Sequence, residues 1–160
     1  MKKLIKTFCL LLFTVNVSCQ VTQTVPLKTI EYPDYGTYLK DLDNVLPFWE
    51  GTWKGTVNNK EYTFQFVKFT QHQTTFSDGS YEYEDKLMGK FKVVDLSTNQ
   101  ILYNDLNATN FEDYKIYFLS NIDRQYFFKF YDTVNNCYNS VEFSLIKDTT
   151  NSNQVLYTEF

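Results

Sequence analysis

At 160 residues with 15 basic and 19 acidic side chains, the chain has the length of one domain and a net negative charge, and its single arginine, Arg124, lies in no basic cluster. Nucleic acid is thereby excluded as a partner, because phosphate contacts need concentrated positive charge. Fifteen phenylalanines and 13 tyrosines supply enough bulk to fill the core of a single domain without help from a cofactor.

Residues 1–18 open with Lys2, Lys3 and Lys6, continue through an apolar run from Phe8 to Val15, and end on Ser18. That layout predicts a secretory signal peptide, with an apolar run too short to span a bilayer as a stable helix. Two readings of the cut are open. Val17-Ser18-Cys19 is similar to a bacterial lipobox, with Asn16 where a leucine is usual, and the resemblance implies cleavage before Cys19 and acylation of its thiol. Ordinary secretion is the other reading. Acylation would leave Cys137 unpaired, read as a small buried apolar residue; otherwise a Cys19–Cys137 pair is open. An acylated cysteine gives firm anchoring, since each buried methylene contributes roughly 0.8 kcal/mol. The expectation is an outer-membrane lipoprotein of the cell envelope, with secretion as the alternative, and residues 19–32 as its lipidated tether.

A domain is expected over residues 33–160. Tyr35, Tyr38, Leu39, Leu42, Val45 and Leu46 recur at three- and four-residue spacing, which predicts a short helix from about Asp34 or Thr37 to Asn44, stopped by Pro47. Phe48 to Gly55 then brings together both tryptophans and two of the five glycines. From Thr52 onward, aromatic and β-branched residues predict strands at 52–58, 61–70, 81–94, 100–105, 114–120, 125–132, 138–147 and 153–160. The punctuation comes from Asn58-Asn59, Ser77 to Ser80, Ser97 to Asn99, Asn121 to Asp123 and Asn135-Asn136.

Alternation assigns the faces. Tyr62, Phe64 and Phe66 share a side, as do Leu87, Gly89, Phe91 and Val93; Ile116 and Phe118; Tyr126, Phe128 and Phe130; and Val141, Phe143 and Leu145. Gly89 in mid-strand predicts a bulge or a sharp bend. Eight antiparallel strands joined by hairpins predict an all-β fold, an eight-stranded up-and-down barrel that removes exposed edges. Its interior would either be filled by side chains or hold one small ligand.

No set of residues requires catalysis. His72 is the only histidine and is read as solvated in a polar loop, with no metal-ligand spacing around it. No nucleophile elbow, nucleotide fingerprint or calcium loop occurs. Glu82, Glu84 and Asp85, and Glu112 with Asp113, are read as solvated acids that discourage edge pairing. Tyr81, Tyr83, Tyr103, Tyr117 and Tyr131 form a candidate sugar-stacking or protein-docking face, weighed against ordinary strand tyrosines at the core rim. Asp132-Thr133-Val134 and Asp148-Thr149-Thr150 resemble an O-glycosylation acceptor of exported proteins.

Gly51-Thr52-Trp53 at the start of the first strand, after a helical turn and before eight strands, resembles the calycin superfamily of lipocalins and fatty-acid-binding proteins. That resemblance implies that Gly51 and Trp53 close the barrel floor, although residues 153–160 lack the arginine that packs over this tryptophan in lipocalins. Tyr38 to Asp41, Phe48 to Lys54 and Tyr83 to Gly89 are similar to a family of uncharacterised bacterial lipoproteins carrying a domain of unknown function. The expected function is a lipid-anchored envelope protein binding a small apolar or amphiphilic ligand, lined by Phe64, Phe66, Phe91, Phe118, Phe128, Phe130 and Phe143. The alternative is a filled barrel acting as a structural or docking module for another envelope protein. Neither reading calls for a cofactor or a metal.

Overall fold

The computed structural model describes residues 21–29, 34–132, 139–148, 150–151 and 154–158. The leader, Cys19, Cys137, the Asn135-Asn136 turn, Thr133, Val134 and Thr149 lie outside these residues. The described part is all-β. Its ten strands are β1 (Gln23–Pro26), β2 (Thr37–Lys40), β3 (Gly51–Val57), β4 (Lys60–Thr75), β5 (Tyr81–Asp95), β6 (Gln100–Asn104), β7 (Ile116–Ile122), β8 (Gln125–Asp132), β9 (Asn139–Lys147) and β10 (Val155–Thr158). A single 3-10 turn, Phe111–Asp113, interrupts the β6–β7 connection.

Turn chemistry places the hairpins. Asn58 and Asn59 both take positive φ, 48° and 58°, the combination that matches the strand twist of a two-residue hairpin. Between β4 and β5, Gly79 has φ 84° and the Asp78 carboxylate accepts hydrogen bonds from the Ser80 N–H and hydroxyl. Asn121 and Ile122 remain in β7, so that turn tightens to the pair beginning at Asp123, whose φ is 52°.

β5 organises the sheet. One of its edges pairs with β4 from Lys60↔Asp95 to Thr75↔Tyr81. Its other edge is shared among β2, parallel at Tyr83 and Glu84, β7, antiparallel at Met88 and Gly89, and β6, antiparallel from Lys92 to Asp95. β7, β8, β9 and β10 continue as an antiparallel meander. β1 adds in parallel to β2, so part of the segment read as a tether joins the sheet.

The expected barrel is corrected to an open, curled sheet. Phe66 on β4 and Phe128 on β8 have ring centroids 5.1 Å apart, and Phe64 on β4 lies 6.2 Å from Phe143 on β9. Strands spaced at about 4.8 Å would separate these positions by roughly 14 and 19 Å in a flat sheet. The sheet therefore wraps around its own rings, yet β3 and β10 do not pair among the described residues. The gap is filled by a loop: Leu46 and Trp49, both fully buried, insert against β3 and β8, with Trp49 contacting Trp53, Phe66, Tyr126 and Phe128.

The expected N-terminal helix is also absent, for a local reason. Gly36 turns the chain with φ 73°, β2 finds backbone partners on the free edge of β5, and the Asp41 carboxylate accepts the N–H groups of Val45 (2.8 Å) and Leu46 (2.9 Å). Such side-chain bonds compete with helical ones. The apolar stripe is divided accordingly: Tyr38, Val45 and Leu46 are buried, whereas Tyr35 and Leu42 are exposed.

Gly89 has a different role from the expected bulge. Its register against Phe66 is unbroken, and a Cβ there would come within 2.7 Å of the Phe66 ring and 3.0 Å of Ile116 Cβ. The glycine permits close approach of two core side chains. The irregularity of the β4–β5 pair lies in β4 instead, between Phe69 and His72, where Gln71 has φ 53°.

Candidate functional site

Three constellations hold the aromatic and charged residues: the inner face of the sheet, a buried charge cluster at the start of β5, and a concavity on the outer face.

On the inner face, Phe66, Phe128 and Phe143 belong to the buried core, with Phe64, Phe91, Phe118 and Phe130 packed against it. These seven expected ligand-lining rings lie against one another, Phe64 on Phe91 at 5.7 Å, Phe128 on Phe143 at 5.5 Å and Phe118 on Phe128 at 5.9 Å. Trp53 is half-buried on β3, beside exposed Gly51, and its indole N–H donates to the Trp49 carbonyl at 2.9 Å. In an open sheet there is no barrel floor for Gly51 and Trp53 to close. Trp49, fully buried, occupies the centre.

The charge cluster escaped sequence reasoning. Asp85 projects from β5 onto the same face as Tyr83 and Leu87 and is buried, which corrects its expected place among solvated acids. Tyr38 Oη donates to Asp85 Oδ1 at 2.5 Å, and the Gln71 N–H donates to the same oxygen at 3.0 Å. Asp85 Oδ2 accepts the Asp41 N–H at 3.1 Å and lies 3.6 Å from Lys68 Nζ, which is 3.8 Å from Asp41 Oδ2. Burial works to raise the Asp85 pKa, but the bonds from Tyr38, Gln71 and Asp41, with the Lys68 charge, outweigh it and hold the carboxyl below its ordinary value. The Tyr38 phenol is pushed up, first by burial and then by Asp85. With both Asp85 oxygens engaged, the cluster pins β2 and the Leu46–Trp49 loop to β4 and β5. The signal was present in the sequence: an acid at an inward-facing strand position needs a partner.

On the outer face, the connection from β6 to β7 folds back over β5. Lys90 donates from Nζ to the Ala108 carbonyl at 2.6 Å and sits 5.3 Å above the Tyr114 ring. Asp105 accepts from the Phe91 N–H at 2.5 Å and from Tyr103 Oη at 3.1 Å; burial pushes its carboxyl above the ordinary value against those bonds. Between this connection and strands β7 and β8 lies an open concavity of about 280 Å³. Its lining includes Asp105, Asn107, Glu112, Lys115, Tyr117 and Tyr131. Tyr117 and Tyr131 meet edge to face at 5.3 Å, and burial followed by the neighbouring Tyr131 raises the Tyr117 pKa.

Of the five tyrosines read as one face, only Tyr117 and Tyr131 come together here. Tyr81 and Tyr83 pair with each other, with Tyr35 against Tyr81, and Tyr103 stacks on Phe91 at 4.3 Å. His72 is not in a loop. It lies half-buried on β4, stacked on Phe111 at 3.7 Å, with its pKa lowered by burial and by Lys86. Glu84, expected to be solvated, is half-buried beside Lys86 at 3.4 Å and its pKa is raised by burial. Among the described residues, no group of three or more histidine, cysteine or acidic side chains is arranged to hold a metal ion.

Residues 1–158 match the model of a family described as a family of unknown function (DUF6705). No curated protein and no solved structure matches the chain.

Proposed function

We propose, for a chain that belongs to the DUF6705 family of unknown function, the role of a lipid-anchored, non-catalytic binding module of the cell envelope, with a filled interior and a recognition surface on its outer face. The observation that carries this reading is the mutual packing of the seven inner phenylalanines, closed off by Trp49. Space that a carrier would offer to a ligand is taken by the protein's own rings. The buried acids do not form a reaction centre, because the Asp85 oxygens are engaged by Tyr38, Gln71, Asp41 and Lys68. The basic leader and the cysteine that follows Ser18 support export and acylation at Cys19.

Titration of the purified mature domain with a fluorescent fatty acid tests the interior. No saturable uptake is expected, and saturable uptake abolished by Phe91→Ala would overturn the filled-interior reading. Cell fractionation with and without globomycin tests the anchor: an unchanged band in an unchanged location would refute acylation at Cys19.

A second reading, a carrier of a small apolar or amphiphilic molecule, draws support from the row Phe64, Phe91 and Phe130, which is only partly buried, and from Val141 at 47 % exposure beside it. The same titration separates the two.

A further inference from the structure

The outer concavity has a composition that selects among ligands, and an inference drawn from it rests on the reading of this protein as an exported binding module. Two properties decide the class. The first is charge. The carboxylates of Asp105, Glu112 and Asp113 line the site with the ammonium of Lys115, while Lys90 beside it is bonded to the Ala108 carbonyl and Lys129 is paired with Glu142 at 3.1 Å, so the lining is acidic. An anionic ligand would meet the carboxylates. A cationic one would compete with resident ammonium groups, since Lys90 lies 5.3 Å above the Tyr114 ring and Lys129 5.3 Å above that of Tyr131, the positions that a ligand cation would seek.

The second property is the alternation of apolar surface with mixed hydrogen-bonding groups. Tyr131 keeps 39 % of its surface exposed and stands perpendicular to Tyr117. Each ring offers a flat apolar body with a polar tip. Around them, Asn107 both donates and accepts, Glu112 accepts and Lys115 donates. Hydroxyl groups, which donate and accept at one atom, suit that mixture better than any group with a single capability. A molecule with an apolar C–H face, a rim of hydroxyls and no net charge is a neutral saccharide. The volume, about 280 Å³, falls just below the roughly 300–1,000 Å³ of sites for drug-sized molecules, which fits a short stretch of one chain rather than a branched glycan.

We infer that the concavity between the β6–β7 connection and strands β7 and β8 binds a neutral saccharide, with the face of Tyr131 away from Lys129 as the stacking surface, Tyr117 as the perpendicular wall beside it, and Asn107, Glu112 and Lys115 as hydroxyl partners. The test is native affinity electrophoresis of the full mature protein in gels cast with laminarin, mannan, dextran or xylan, with alginate as the anionic control. Retardation by at least one neutral polysaccharide and none by alginate is expected. Tyr131→Ala should weaken the effective affinity by about tenfold, the loss of one aromatic contact of about 1.4 kcal/mol, while Tyr131→Phe retains it. Tyr131 is exposed enough that its truncation should not unfold the protein, and circular dichroism checks this. Unretarded migration in all four neutral gels, retardation by alginate alone, or equal retardation of wild type and Tyr131→Ala would each overturn the assignment. Such a failure leaves the filled-interior reading standing, because that reading is decided by fatty-acid uptake.

Discussion

The two faces of β5 show how one strand serves two purposes. Inward, Leu87, Gly89 and Phe91 meet Phe66, Phe64 and Ile116, and the surface is closed by Leu46 and by Trp49, whose buried indole N–H finds no hydrogen-bond partner among the described residues. Outward, Met88 and Lys90 are also buried, but beneath the β6–β7 connection, which brings Asp105, Asn107 and Lys115 with it. Both faces are covered, and the outer cover carries hydrogen-bonding groups around an open concavity. If recognition lies outside, as proposed, and stability inside, substitutions on the two faces should separate accordingly.

The largest expected effect is at Trp49. Truncation to alanine removes a fully buried indole that touches five rings and should cost about 3–5 kcal/mol in urea unfolding. Trp53→Ala should cost less, because that ring is half-buried on an edge strand. The reverse order would mean that β3, and not the loop, closes the core. Next comes Asp85→Ala, which strands Lys68, Asp41 and the Tyr38 hydroxyl around a lost partner and should cost about 3 kcal/mol. Gly89→Ala follows at about 1–3 kcal/mol, since its methyl must displace the Phe66 ring or Ile116. On the outer face, Tyr131→Ala should change stability by no more than about 0.5 kcal/mol while weakening saccharide retention about tenfold. A loss of several kilocalories there would erase the division between the faces.

Much of this arrangement was legible in the sequence, and the reasons for the rest are physical. Aromatic and β-branched runs between turn residues found the eight strands β3 to β10, and alternation assigned Phe64, Phe66, Phe128 and Phe143 inward correctly. It also places Tyr117 and Tyr131 on the outer face, each next to an inward neighbour, Phe118 and Phe130, but their pairing comes from the fold. The helix expected from about Asp34 or Thr37 to Asn44 failed because β2 is four residues long and owes its form to a distant edge, not to its own periodicity. Closure into a barrel failed because hairpin counting cannot show that β5 shares one edge among three strands. The importance of Trp49 over Trp53 was missed because Trp49 lies in the loop between β2 and β3, where period-two reasoning does not reach. Asp105 and Lys115 come to the concavity from an irregular connection, which no pattern anticipates.

The smallest expected effect concerns the seam where the outer connection rests on β4. His72 stacks on Phe111 at 3.7 Å with an interplanar angle of 15°, and Phe69 stands edge-on to both. The groups facing it are Lys86, whose Nζ lies 5.8 Å from the Phe111 ring centre, Glu112, and Glu84 across the strand pair. Burial first and Lys86 second hold the imidazole below its ordinary pKa of 6.5, against Glu112. The folded protein therefore binds this proton less readily than the unfolded chain, so the stability it contributes is complete above pH 6.5 and declines as pH falls below it. Glu84 and Asp105 act in the opposite sense: burial raises both, and their protonation on acidification relieves a penalty carried at higher pH. The comparison with His72→Phe removes their contribution, because both proteins retain it. Between about pH 7.5 and 5.5 the urea midpoint of the wild type should fall by more than that of the variant. Equal falls would show that His72 takes up its proton as readily in the folded state as in the unfolded one, and that the stack on Phe111 holds the connection whatever the charge on the ring.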